Sequence, residues 1–140
     1  MTTGERLTQM VYPLGEHARD WLRARSGKRL NEITLDALRC GELSPDDFRI
    51  RAETLQAQAE IAEMAGYRQV AQNLRRAAEL VAVPNDELLA IYEALRPRRS
   101  TYEQLIALAE RLRKVYNAPE TAALVVEAAE AYRGRGVLRE

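Results

Sequence analysis

Apolar residues recur at intervals of three and four along most of this chain, the spacing that lays one face of an α-helix against a core. From Pro84 onward, Leu88, Ile91, Tyr92 and Leu95 follow it. Leu105, Leu108, Ala109, Leu112, Val115 and Tyr116 make a second stripe. Asn117 and Pro119 interrupt, and Ala122, Val125, Val126, Ala129 and Tyr132 make a third. Upstream, two segments of roughly Ala52 to Ala65 and Tyr67 to Ala82 are split by Gly66, whose freedom at positive φ suits a helix end. Val70, Leu74, Ala77, Ala78 and Val81 give the second of these a helical spacing, not a strand's.

Punctuation supports the same elements. Thr34 is placed to cap a short helix through Leu35, Ala37 and Leu38, with Gly41 just past its end. Ser44-Pro45-Asp46-Asp47 reads as another start, serine as cap and proline at the first helical position, for a piece of a turn or two. Pro97 disfavours helix at Arg96, so the helix opened by Pro84 stops there. Ser100 and Glu103 form a capping-box pattern, which leaves a turn of about four residues and predicts a helical hairpin. Glu110 and Lys114 stand at a favourable i, i+4 spacing. Gly134 and Gly136 release a frayed tail.

These elements predict an all-α fold: a compact bundle of about five to six helices built from hairpins, residues 34–140, preceded by an extended arm, residues 1–33. The arm carries Gly4, Pro13, Gly15 and Gly27 among several charges, with Tyr12, Leu14 and Trp21 as its apolar anchors. Two readings stand for it. Trp21 packs back on the bundle, or the arm lies along a partner with Tyr12, Pro13, Leu14 and Trp21 in pockets, aromatic anchors being favoured at interfaces.

Composition narrows the function. A chain of 140 residues, 46% apolar, makes one modest core. Lys plus Arg and Asp plus Glu both number 21, so the positive excess of a nucleic-acid binder is missing. No apolar stretch approaches the roughly 20 residues that span a bilayer, and MTTGERLTQMV lacks a secretory signal's apolar segment, so an intracellular protein is expected. The single Cys40 cannot form an internal disulfide.

Reactive chemistry is sparse. His17 is the only histidine, too few for paired Glu-x-x-His motifs or a His-rich zinc site. Cys40 and His17 make a nucleophilic pair only if the fold joins them, and a structural cysteine is the commoner case. No phosphate-binding glycine loop occurs, and Glu60, Glu63 and Glu110 sit at ordinary spacings for a solvated helix face. Arg96, Arg98 and Arg99 cluster at the hairpin turn, where they grip a partner's carboxylates or complement the negative end of the preceding helix.

Three blocks follow one another in the order RIRAETLQAQAEIAEMAG (Arg49 to Gly66), NLRRAAEL (Asn73 to Leu80) and IYEALRPRRST (Ile91 to Thr101). A trace of Tyr12-Pro13-Leu14, His17, Trp21, Leu30, Glu32, Thr34 and Leu35 precedes them. In order and coverage this set resembles the small subunit of adenosylcobalamin-dependent diol and glycerol dehydratases. The family's LRP-x-RST turn is matched by Leu95, Arg96, Pro97, Arg99, Ser100 and Thr101. Arg98 departs from it, standing where an aromatic residue is common, and Ala52 stands where the family often has proline.

The resemblance implies a subunit of a carbon–oxygen lyase that turns 1,2-diols or glycerol into an aldehyde and water by a radical route. It implies a large subunit that holds substrate and catalytic residues, and adenosylcobalamin between the large and medium subunits. The small subunit packs on the large one, in a complex expected to be a dimer of heterotrimers. No catalytic, cofactor-binding or metal-binding residue is expected in this chain. The residues expected at the partner interface are Tyr12, Pro13, Leu14, His17, Trp21, Arg96, Pro97 and Arg99. Neither a nucleic-acid nor a membrane partner is expected, and the location implied is cytoplasmic. Some family members carry a long N-terminal extension linked to packaging in a bacterial microcompartment, whereas eleven residues precede Tyr12 here, so packaging is expected through the medium subunit if at all. A stand-alone helical adaptor fits the same helices and neutral charge, because fold alone does not specify function.

Overall fold

A computed structural model describes residues 12–140, and the first eleven residues of the expected arm lie outside the described residues. The described chain is all-α. Its helices are α1 (Leu14–His17), α2 (Leu35–Arg39), α3 (Ala52–Met64), α4 (Arg68–Leu80), α5 (Asn85–Ala94), α6 (Tyr102–Val115) and α7 (Pro119–Arg135). Short 3-10 turns occupy Leu30–Glu32 and Pro45–Phe48. Among the described residues, extended pairing is limited to the isolated antiparallel bridges Arg23↔Arg29 and Ala24↔Ile50. The backbone divides into two compact units at Ala78/Glu79, in the last turn of α4.

In the first unit, α2 starts where Thr34 Oγ1 accepts the Ala37 amide at 3.1 Å. Gly41 follows it at φ 72°. Ser44 and Asp47 cap the Pro45 turn reciprocally. A small cluster of Leu14, Ala57 and Ile61 anchors α1 to α3, with Ala18, Trp21 and Leu22 packed around it. Glu63 on α3 is bridged by Arg75 on α4. The expected stripe of α4 is partly displaced: Val70 is exposed, and Ala71 and Ala78 are the buried residues of this helix. Alanines at those positions let the helix backbone approach its neighbours closely.

The second unit carries the larger core. Val83, Ile91, Leu105, Ala109, Leu112, Ala118, Ala122, Val125 and Ala129 are buried together, and α6 and α7 supply most of them. Glu87 in the first turn of α5 is bonded by Arg111 Nε, late in α6, at 2.5 Å, which makes α5 and α6 the antiparallel hairpin read from the sequence. Glu79 reaches the start of α7 and accepts the amides of Glu120 (2.9 Å) and Thr121 (2.8 Å) and the Thr121 hydroxyl (2.6 Å). A carboxylate there satisfies orphan amides and opposes the helix dipole, worth about 0.3–1 kcal/mol.

Five details differ from the sequence reading. The α5–α6 connection runs from Leu95 to Thr101, longer than four residues. The capping box there is Thr101/Gln104, not Ser100/Glu103: Thr101 Oγ1 accepts the Gln104 amide at 3.3 Å and Gln104 Oε1 accepts the Thr101 amide at 3.0 Å. Ser100 is instead buried, its hydroxyl donating to the Ala94 carbonyl at 2.8 Å, which moves the cap one residue on. Gly134 lies inside α7, and only Gly136, at φ 63°, ends it. The tail is not frayed: the Arg98 amide donates to the Val137 carbonyl at 2.8 Å and the Arg139 amide to the Ser100 carbonyl at 2.9 Å. Tyr92 and Val115, placed on core-facing stripes by periodicity, are exposed, because each falls at the edge of an apolar arc wider than its neighbour covers.

Candidate partner-facing surfaces

The chain's apolar side chains are unevenly spent, and the residues left outside define the candidate surfaces. In the first unit, Tyr12 (60% exposed) lines a largely apolar groove of about 520 Å³ with Ile61, Ala62, Ala65, Tyr67, Val70 and Leu74. Pro13 and His17, on the same short stretch, are exposed. Leu14 differs: at 4% exposed it is held by Ala57 and Ile61 and serves to anchor α1. Trp21 is partly buried against that cluster, so much of its ring is occupied within its own unit.

The Arg96–Thr101 turn builds the candidate surface of the second unit. Glu93, in the last turn of α5, pairs with Arg96 at 2.9 Å and with Arg99 at 3.1 Å. The hydrogen bond from Arg96 holds the Glu93 carboxyl below its usual range, and the positive charges of Arg96 and Arg99 act in the same direction. Two of the three turn arginines are thus partly neutralised from within, and with Pro97 they remain exposed. Arg98 stands out. Its backbone is left-handed, φ 63°, and its side chain is exposed. Strain of that kind is tolerated where surrounding structure fixes the backbone, here the bond to Val137.

Beside that turn, a shallow groove of about 730 Å³ runs past Ile91, Arg99, Gln104, Leu108, Arg111 and Arg139. Glu87 on its wall accepts from Arg111 and from the Tyr116 hydroxyl. Those two bonds, Arg111 first, lower the Glu87 carboxyl, and the bond to Glu87 raises the Tyr116 phenol.

Sequence reasoning missed a third set. Leu35 (72% exposed), Leu38, Phe48 (62% exposed) and Ile50 lie exposed within one stretch of the first unit. The available signal was large apolar residues in elements too short to form a stripe, flanked by Gly41, Pro45 and acidic residues. Single exposed apolar residues are ordinary, whereas such a concentration is not.

His17, the only histidine, lines neither groove. Among the described residues, no group of three or more His, Cys, Asp or Glu is placed to hold a metal ion. Cys40 is free and exposed. Among the same residues, no helix is long and apolar enough to cross a membrane.

Known proteins share this sequence over nearly its whole length. The family model described as dehydratase small subunit matches residues 7–139. The propanediol dehydratase small subunit of Citrobacter freundii is 44% identical over 128 residues, covering 91% of this chain and 74% of that protein. The propanediol dehydratase small subunit of Salmonella typhimurium is similar to the same extent, 44% over 128 residues, with 91% of this chain and 74% of that protein covered.

Proposed function

Because this chain belongs to the dehydratase small-subunit family, we propose that it is the small, non-catalytic subunit of an adenosylcobalamin-dependent diol or glycerol dehydratase. The holoenzyme removes water from a 1,2-diol, propane-1,2-diol included, or from glycerol, and releases the aldehyde. Adenosylcobalamin supplies the radical chemistry and is held by the large and medium subunits, since cofactors carry such chemistry while protein supplies position and protection. This chain packs on the large subunit and holds it in its active shape, within a dimer of heterotrimers. The complex resides in the cytoplasm, free or packaged in a microcompartment.

The observation that carries this reading is 44% identity sustained over 91% of the chain. The exposed side chains add to it. Tyr12, Pro13, His17 and the open edge of Trp21 form one contact region, with Leu14 as its buried anchor; Arg96, Pro97 and Arg99 form another, pairing with partner carboxylates through guanidinium forks. Leu35, Leu38 and Phe48, exposed in the first unit, are a further contact set. Large apolar residues of this kind contribute most at the centre of an interface, where they are fully desolvated.

The test is co-expression with candidate large and medium subunits, followed by size-exclusion chromatography and an adenosylcobalamin-dependent aldehyde assay with and without this chain. Co-elution of all three, with activity that requires this chain, is expected. Separate elution with unchanged activity would refute the subunit reading and turn attention to a free-standing adaptor.

A further inference from the structure

Within residues 23–50 the only buried apolar side chain is that of Ala24. What is buried there instead is a carboxylate: Asp47 is 3% exposed. Two pieces of chain converge on it, the turn holding Ser26 and Lys28 and its own turn at Ser44. The Ser44 amide donates to Asp47 Oδ2 at 2.6 Å and the Ser44 hydroxyl at 3.2 Å. The Lys28 ammonium donates to the same oxygen at 3.1 Å and also to the Glu42 carbonyl. The Ser26 hydroxyl donates as well, and these donors together hold the Asp47 carboxyl far below the usual carboxylate range, against the opposing effect of burial.

The backbone links radiate from the same place. Ser26 and Lys28 sit in a turn closed by the Ala24 amide on the Lys28 carbonyl and the Gly27 amide on the Ala24 carbonyl, both 2.9 Å. Gly27 takes φ 95° there, a conformation that L side chains rarely adopt. The turn is tied to the residues just after Asp47 by the Arg25 amide on the Arg49 carbonyl at 2.8 Å and by the Ala24↔Ile50 bridge.

A buried charge is tolerated only when paired and hydrogen-bonded, and a polar network fully satisfied fixes its surroundings while one partly satisfied fails. We propose that residues 23–50 open and close as one cooperative unit whose closed form depends on the ionised Asp47 carboxylate, which stands in for the missing apolar core. The hub sets the closed positions of Leu35, Leu38 and Phe48, so opening moves these three together. This behaviour belongs to the isolated chain and does not depend on the partner reading.

Hydrogen exchange read by mass spectrometry on the full chain tests it, comparing the native protein with Asp47→Asn and Asp47→Ala, and with circular dichroism recorded in parallel. Both variants are expected to lose protection together at Ala24, Arg25, Gly27 and Arg49, while α6 and α7 keep native protection and the helical signal stays close to native. Three results would overturn the proposal: native protection at those amides in both variants; loss confined to Ser44 and its neighbours, the mark of an ordinary turn cap; or loss that spreads equally through α6 and α7, the mark of global destabilisation.

Discussion

The two units of the chain bury their large apolar residues to different extents. The three largest fully buried side chains, Leu105, Leu112 and Val125, all belong to the second unit. Of the thirteen exposed large apolar residues among those described, nine belong to the first unit and four to the second. Yet the first unit has nearly as many helical turns. Its buried side chains are Ala24, Ala57, Ala59, Ala71 and Ala78 with only Leu14, Leu55 and Ile61 as large apolar members, beside the buried Asp47 carboxylate and Thr54. Alanine brings helices close but buries little surface, whereas a leucine fully withdrawn from water contributes roughly 1.5–3 kcal/mol. The second unit therefore holds more of the large buried side chains, and the first leaves more of its large side chains exposed.

The strongest way to break this comparison is to hollow the second unit. Leu112→Ala removes a side chain with 0% exposure and is expected to cost about 3 kcal/mol in urea unfolding. A cost below about 1 kcal/mol would mean that the α6–α7 core is not the main source of stability. A smaller effect tests how that core is entered. Thr101→Ala, which removes the side-chain acceptor of the Gln104 amide, is expected to cost about 1 kcal/mol, and Thr101→Ser should restore most of it. Smallest in the isolated chain is the change aimed at the first unit. The double variant Leu35→Ser, Phe48→Ser is expected to alter its stability by no more than about 0.5 kcal/mol. The same variant should weaken co-elution with the large subunit, so a native elution profile would remove these residues from the interface.

Helices α3 to α7 were legible because each repeats an apolar face several times between clear stops such as Gly66, Pro84, Pro97 and Pro119. The five helices of ten residues or more agree with the number expected from that pattern. The cap of α6 was misread by one residue because Ser100 and Thr101 are chemically equivalent caps. Only the buried bond from Ser100 to the Ala94 carbonyl separates them. The tail was misread because its two backbone bonds go to Arg98 and Ser100, far away in sequence. Arg96, Pro97 and Arg99 were legible as a cluster; the sharing of Glu93 by the two arginines required the turn's geometry. Leu35, Leu38 and Phe48 gave no periodic signal at all, and nothing in the spacing of Ser26, Lys28, Ser44 and Asp47 marks them as one hub.

Sequence alone determined the all-α class, the long helices and, through the order of its blocks, the family. Those depend on local preference and short-range periodicity, which are recovered without knowing what packs where. Tertiary structure alone decided which apolar faces are covered, that Glu79 completes the start of α7, and that a single buried carboxylate gathers Ser26, Lys28 and Ser44. Burial and polar pairing are properties of groups brought together from distant positions, and no local pattern records the distance between them.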